Sequence, residues 1–102
     1  MWLVNILHDV VRAEIRDRFE AGAAAQVVSA LDASPLPFLG ADRDHDRARV
    51  HLAILKLADG DMGRFQQALA LAQVDWRDVL VAAGLGDADW PLVLRATGWR
   101  AP

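Results

Sequence analysis

The chain has 102 residues, a formal charge of −3 and no cysteine, with 54% hydrophobic and 25% charged residues. This length suits one domain, and the apolar content is enough to offset the ordering entropy that leaves more polar chains disordered. Disulfide frameworks, thiolate nucleophiles and cysteine-ligated metals are excluded, and an isoelectric point near 5.4 argues against a surface built to neutralise nucleic-acid phosphates.

The opening Met1-Trp2-Leu3-Val4 is apolar, but Asn5, His8 and Asp9 interrupt it and no basic residue precedes it. It lacks the charged and apolar regions of a secretory signal. No stretch reaches the length of an apolar membrane span, so the expected location is the cytoplasm, with neither membrane nor nucleic acid as a partner. At 100° per residue, Leu3, Val4, Leu7, Val10, Val11, Ile15 and Phe19 share one face, with Asp9, Arg12, Arg16 and Glu20 opposite. This predicts an amphipathic helix to about Phe19, supported by Glu14/Arg18 and Arg16/Glu20 pairs at i,i+4.

Beyond Gly22 the apolar set Ala24, Val27, Val28 and Leu31 lies more than about 90° around the wheel from the first. A straight helix from Leu3 to Leu31 would be about 43 Å long, whereas a chain of this length folds to a diameter of about 33 Å. Two expectations compete. Either the helix breaks close to Gly22, or the stripe Leu3, Leu7, Val11, Ile15 and Phe19 projects and is covered by a second copy in a homodimer.

Residues 32–46 form a connector, because Pro35 and Pro37 lack amide hydrogens and push the residues before them toward extended geometry. Leu36, Phe38 and Leu39 are expected to pin it to the core. Helix resumes over 47–58 with Asp44 or Asp46 as its cap, and Val50, Leu52, Ile54, Leu55 and Leu57 cover nearly its whole circumference, which marks a central, buried element. Three glycines then stand where helices end. Gly60, Gly84 and Gly98 suit the left-handed C′ position, and Leu85 and Trp99 follow two of them as the C″ residues of Schellman motifs, in contact with Leu80 and Leu94.

Asp61 and Asp75 are N-cap candidates, as is Asp87 or Asp89 ahead of Pro91. The predicted helices run 62–73, 76–83 and 90–97, with Phe65, Leu69, Ala72, Trp76, Val79, Leu80, Leu92 and Val93 packing inward. The fold class is therefore all-α, a small bundle of four to six helices with no sheet. One domain covers 1–102, made of an N-terminal helical region 1–31, the connector 32–46 and a compact module 47–102.

The stretch from Arg49 to Asp61, followed by Asp75 to Leu85, resembles the C-terminal pattern of a group of short uncharacterised bacterial proteins. The resemblance covers about half the chain. It implies a compact helical module and brings no catalytic residue with it.

Among candidate sites, Asp42, Asp44 and Asp46 are spaced as a calcium loop begins, with His51 beyond them. The continuation fails, because Arg47 stands where the turn glycine belongs and Ala53 where the bidentate glutamate belongs. Arg43 and Arg47 also compensate the carboxylates, so a solvated loop with a helix cap is the expected role. His8 sits at the edge of the first stripe with no catalytic partner, and Ser29, Ser34 and Thr97 occupy no nucleophile elbow. Gly84-Leu85-Gly86 lacks the lysine and strand of a phosphate loop. No catalytic residue and no cofactor are expected.

Asp75-Trp76-Arg77-Asp78 has the form of an acidic capping box. Arg77, Trp90, Arg95 and Trp99 combine the residue types of an interaction hot spot, against a purely core role for the two rings. A helix-turn-helix over Asp61 to Gly84 has the right outline for DNA, but its second helix offers only Arg77, flanked by Asp75 and Asp78. The expected function is a non-enzymatic protein-interaction or structural domain that binds a protein partner or itself. The alternatives are a small ligand- or metal-binding protein or enzyme using His51 with Asp42, Asp44 and Asp46, and more remotely a helix-turn-helix DNA binder.

Overall fold

The computed structural model describes residues 7–34 and 43–102. They form five helices: α1 (Asp9–Arg18), α2 (Ala21–Ala33), α3 (Arg43–Ala58), α4 (Met62–Ala83) and α5 (Trp90–Ala96), with no strand among the described residues. The all-α expectation holds.

The N-terminal helix is broken, but earlier than Gly22. Phe19 (φ −116°, ψ 150°) and Glu20 (φ −65°, ψ 163°) are both extended, while Gly22 lies in the first turn of α2. The break lets Phe19 turn its ring edge-on to Phe65, with centroids 6.3 Å apart. It also resets the helix phase so that Val27 and Leu31 reach the same core, and two extended residues achieve this without glycine's freedom.

That rearrangement overturns the open stripe. Leu7, Val11, Ile15 and Phe19 are buried within the chain itself, because α1 packs against α2 and α3; Leu3 lies outside the described residues. No projecting apolar ridge is left on α1 for a second copy to cover.

Helix α3 is the central element. Val50, Leu52, Ala53, Ile54 and Leu55 are all buried, and α3 packs most extensively against α4. It begins at Arg43 rather than 47, so the backbone of Asp44 and Asp46 lies within the helix and neither is its N-cap. The connector residues 35–42, including Leu36, Phe38 and Leu39, lie outside the described residues.

The two helices expected at 62–73 and 76–83 form one element kinked at Asp75, whose φ of −153° and ψ of 97° are not helical. Asp75 Oδ1 accepts the Arg77 amide at 3.1 Å, and Asp61 Oδ1 accepts the Arg64 amide at 2.8 Å, so each half starts on an aspartate. The glycine ends form as expected. The Leu85 amide donates to the Leu80 carbonyl at 2.8 Å and the Trp99 amide to the Leu94 carbonyl at 2.9 Å, with Gly84 and Gly98 at φ 77° and 84°. Leu92 departs from its expected inward role and is 64% exposed.

Candidate functional site

Two regions stand out, one polar and one apolar. The polar one is built on α1. Glu14 and Arg18 lie at i+7 and i+11 from Leu7, inside the stripe that Leu7, Val11 and Ile15 define. Packing that stripe inward takes Glu14 with it, leaving the residue 2% exposed. Its oxygens are fully engaged. Oε1 accepts from Arg18 Nε at 2.6 Å, and Oε2 accepts from the Arg100 amide at 2.9 Å and from Arg100 Nη1 at 3.1 Å.

Arg100 Nη1 also reaches Asp17 Oδ2 at 2.7 Å. Arg18 donates through Nη2 to the Gly98 carbonyl at 3.3 Å and lays its guanidinium 3.5 Å from the centroid of the Trp99 ring, a cation–π stack. A cleft of about 510 Å³ opens beside Glu14, Asp17, Arg18, Trp99 and Arg100.

Burial pushes the Glu14 carboxyl pKa up, but the hydrogen bonds and charges of Arg18 and Arg100 outweigh it and hold the group below its usual value. Asp17, and then Glu14, keep the Arg100 guanidinium more firmly protonated than usual. The cluster therefore balances two carboxylates against two guanidiniums. Its evident chemistry is to fasten segments 86 residues apart.

The apolar region lies on α4. Arg64, Gln67, Ala68 and Leu71 recur at helical spacing and, with Leu57 of α3, line a shallow groove of about 330 Å³. Val74 continues that row and is 84% exposed. The charged residue of the lining is Arg64, whose nearest carboxylate, Asp59, is 4.0 Å away on an exposed turn.

Asp42 and the side chains of Asp44 and Asp46 lie outside the described residues. His51 is buried in α3 with no hydrogen-bond partner at Nδ1, and burial together with the Arg47 charge lowers its pKa to about 4. Among the described residues no group of three His, Cys, Asp or Glu could hold a metal ion. His8 caps α1 through Nδ1, which accepts the Val10 amide at 3.1 Å.

The expected hot spot of Arg77, Trp90, Arg95 and Trp99 is dispersed over separate pairings. Arg77 stands over Trp76 at 5.5 Å and Arg49 over Trp90 at 5.7 Å. Trp90 is buried because its ring closes the core at the start of α5, which removes it from any partner surface. Arg49 also donates to the Leu85 carbonyl at 2.9 Å, holding the α4–α5 turn. Arg95 is exposed in the last turn of α5, and Trp99 pairs with Arg18. The sequence reading missed Glu14 as a buried group. The signal was present, since Glu14 and Arg18 sit mid-stripe on the helical wheel and not on its rim.

No family model, curated protein or solved structure matches this chain. The described residues form a small all-α fold. No helix among the described residues is long and apolar enough to cross a membrane.

Proposed function

We propose that this chain is a non-enzymatic protein-interaction module that receives an amphipathic helix of a partner protein in the groove between Leu57 of α3 and the Arg64–Leu71 face of α4. The observation that carries the reading is the exposed row Leu71 and Val74 continuing that groove. An apolar row at helical spacing beside a shallow apolar trough is the arrangement that helix-in-groove recognition uses. Arg64 makes only a long, exposed pairing with Asp59, which contributes little in water, so a partner carboxylate opposite it would complement the groove's charge. The polar residues support a non-catalytic reading: Glu14 is saturated by its partners and His51 is sealed away from solvent.

The test uses a helical peptide of about 15 residues carrying leucines at i, i+4 and i+7 and one glutamate, titrated into isotopically labelled protein. Amide shifts should centre on Arg64 to Val74. Leu71→Glu with Val74→Glu should weaken binding by about tenfold or more at a stability cost of about 1 kcal/mol, set mainly by Leu71, which is 37% exposed against 84% for Val74. Shifts that appear elsewhere, or survive the double substitution, overturn the proposal. A dimer in light scattering that the same substitutions dissociate would make the occupant a second copy and overturn the heterologous partner.

A further inference from the structure

After α5 the chain turns back onto α1, and the two elements are held by different forces. Helix α5 is anchored by apolar burial, through Trp90 and Leu94. The segment that follows keeps one backbone bond to α5, from the Trp99 amide to the Leu94 carbonyl at 2.9 Å, and is otherwise held chiefly by polar contacts to one stretch of α1. The Arg100 amide and guanidinium reach Glu14, the same guanidinium reaches Asp17, the Gly98 carbonyl accepts from Arg18, and Trp99 lies under the Arg18 guanidinium. Its apolar contribution is limited to the partly buried Trp99 and Ala101.

A pivot stands between the two. Gly98 has a φ of +84° with nothing within 4 Å of the position a Cβ would take. Just before it, the Thr97 hydroxyl donates to the Val93 and Leu94 carbonyls at 3.0 Å, which ties the end of α5 down on its own. Segments with few buried apolar contacts and exposed hydrogen bonds open at lower free energy than the core around them.

We propose that Gly98–Pro102 is a latch that swings about Gly98 while the five helices stay folded, and that Glu14 is the anchor that sets how often it opens. Open, the latch bares the cleft wall formed by Glu14, Asp17 and Arg18 together with the apolar edge beneath Trp99 and Ala101. The latch is independent of the α4 groove.

Amide exchange on the full chain reads this directly, because the Arg100 amide has its acceptor on Glu14 and the Leu85 amide reports the core. In the wild type, the Arg100 amide is expected to be protected, less so than Leu85, and its exchange should not respond to urea below the unfolding transition, since opening a short segment exposes little surface. Leu85 exchange should rise steeply with urea. Glu14→Gln should cut protection at position 100 by about tenfold or more, still without urea dependence, and Arg100→Ala should produce an intermediate loss.

Protection at position 100 that equals Leu85 and rises and falls with it in urea overturns the latch, because the segment would then open only on global unfolding. So does an unprotected Arg100 amide in the wild type, or no change in Glu14→Gln. If Glu14→Gln does not fold, the wild-type urea series and Arg100→Ala, an exposed position, decide the matter alone.

Discussion

Glu14 in α1 and His51 in α3 are each 2% exposed, and water is withdrawn from both, yet they end in opposite charge states. Burial disfavours the charged form of either residue. Around Glu14 two guanidiniums and a backbone amide reverse that effect, and the carboxylate stays ionised. Around His51 nothing bonds to Nδ1, burial and the like-signed charge of Arg47 both disfavour the imidazolium, and the ring is held neutral with a pKa of about 4. Partners rather than depth decide the outcome. One region is fastened by its charge, and the other tolerates a polar group only while that group is uncharged.

The largest expected effect that separates the two is pH dependence. Below about pH 6.5 the unfolded chain binds a proton at His51 that the folded chain refuses until about pH 4. Stability is therefore complete above pH 6.5 and falls as pH drops through that window, by up to about 3 kcal/mol. Glu14 works in the same direction but in a lower window: its contribution is present above the ordinary value of 4.5 and is lost as pH falls through its lower folded pKa. His51→Leu should flatten the stability profile between pH 6.5 and 4 and leave the steeper acid limb, as measured by urea melts at four or five pH values. A His51→Leu profile as steep as the wild type would break the contrast.

A smaller effect is expected at the other pole. Glu14→Ala should cost about 2 kcal/mol in urea denaturation at pH 7, the range for hydrogen bonds to charged groups. It stays below the loss seen when a wholly buried ion pair is broken, because the Arg18 and Arg100 side chains are 30% and 48% exposed and can be rehydrated.

The smallest is a comparison of glycines. Gly60 and Gly84 share nearly the same left-handed φ, 78° and 77°, but an added Cβ at Gly60 would lie 3.0 Å from the Arg18 carbonyl, whereas at Gly84 it meets nothing within 4 Å. Gly84→Ala should cost about 1 kcal/mol of backbone strain. Gly60→Ala should cost more by roughly 0.5–1 kcal/mol, since the clash pushes on the backbone beneath the Glu14 cluster. Equal melting temperatures for the two variants would show that this end of α1 yields freely.

Much of the fold was legible because its signals are local. Asp61 and Asp75 announced the starts of the two halves of α4, and Gly84-Leu85 and Gly98-Trp99 announced two Schellman ends. The period of Val50 to Leu57 marked α3 as central. The break expected close to Gly22 is present, but it falls at Phe19 and Glu20, because a break needs only residues able to adopt extended geometry and here it brings Phe19 to Phe65. The candidate sites were less legible. Trp90 and Trp99 look alike in sequence, but one closes the core and the other lies under Arg18.

The sequence by itself determined the helical class, most of the caps and the apolar faces of α1, α3 and α4, since these follow from contacts within about four residues along the chain. Only the tertiary structure decided that the α1 stripe is covered by its own chain, that Glu14 goes inside with it, and that Arg100 comes back to meet it. Those outcomes depend on which faces meet across the core. A helical wheel shows that Glu14 sits among apolar neighbours, but a partner 86 residues away has no trace in the local pattern.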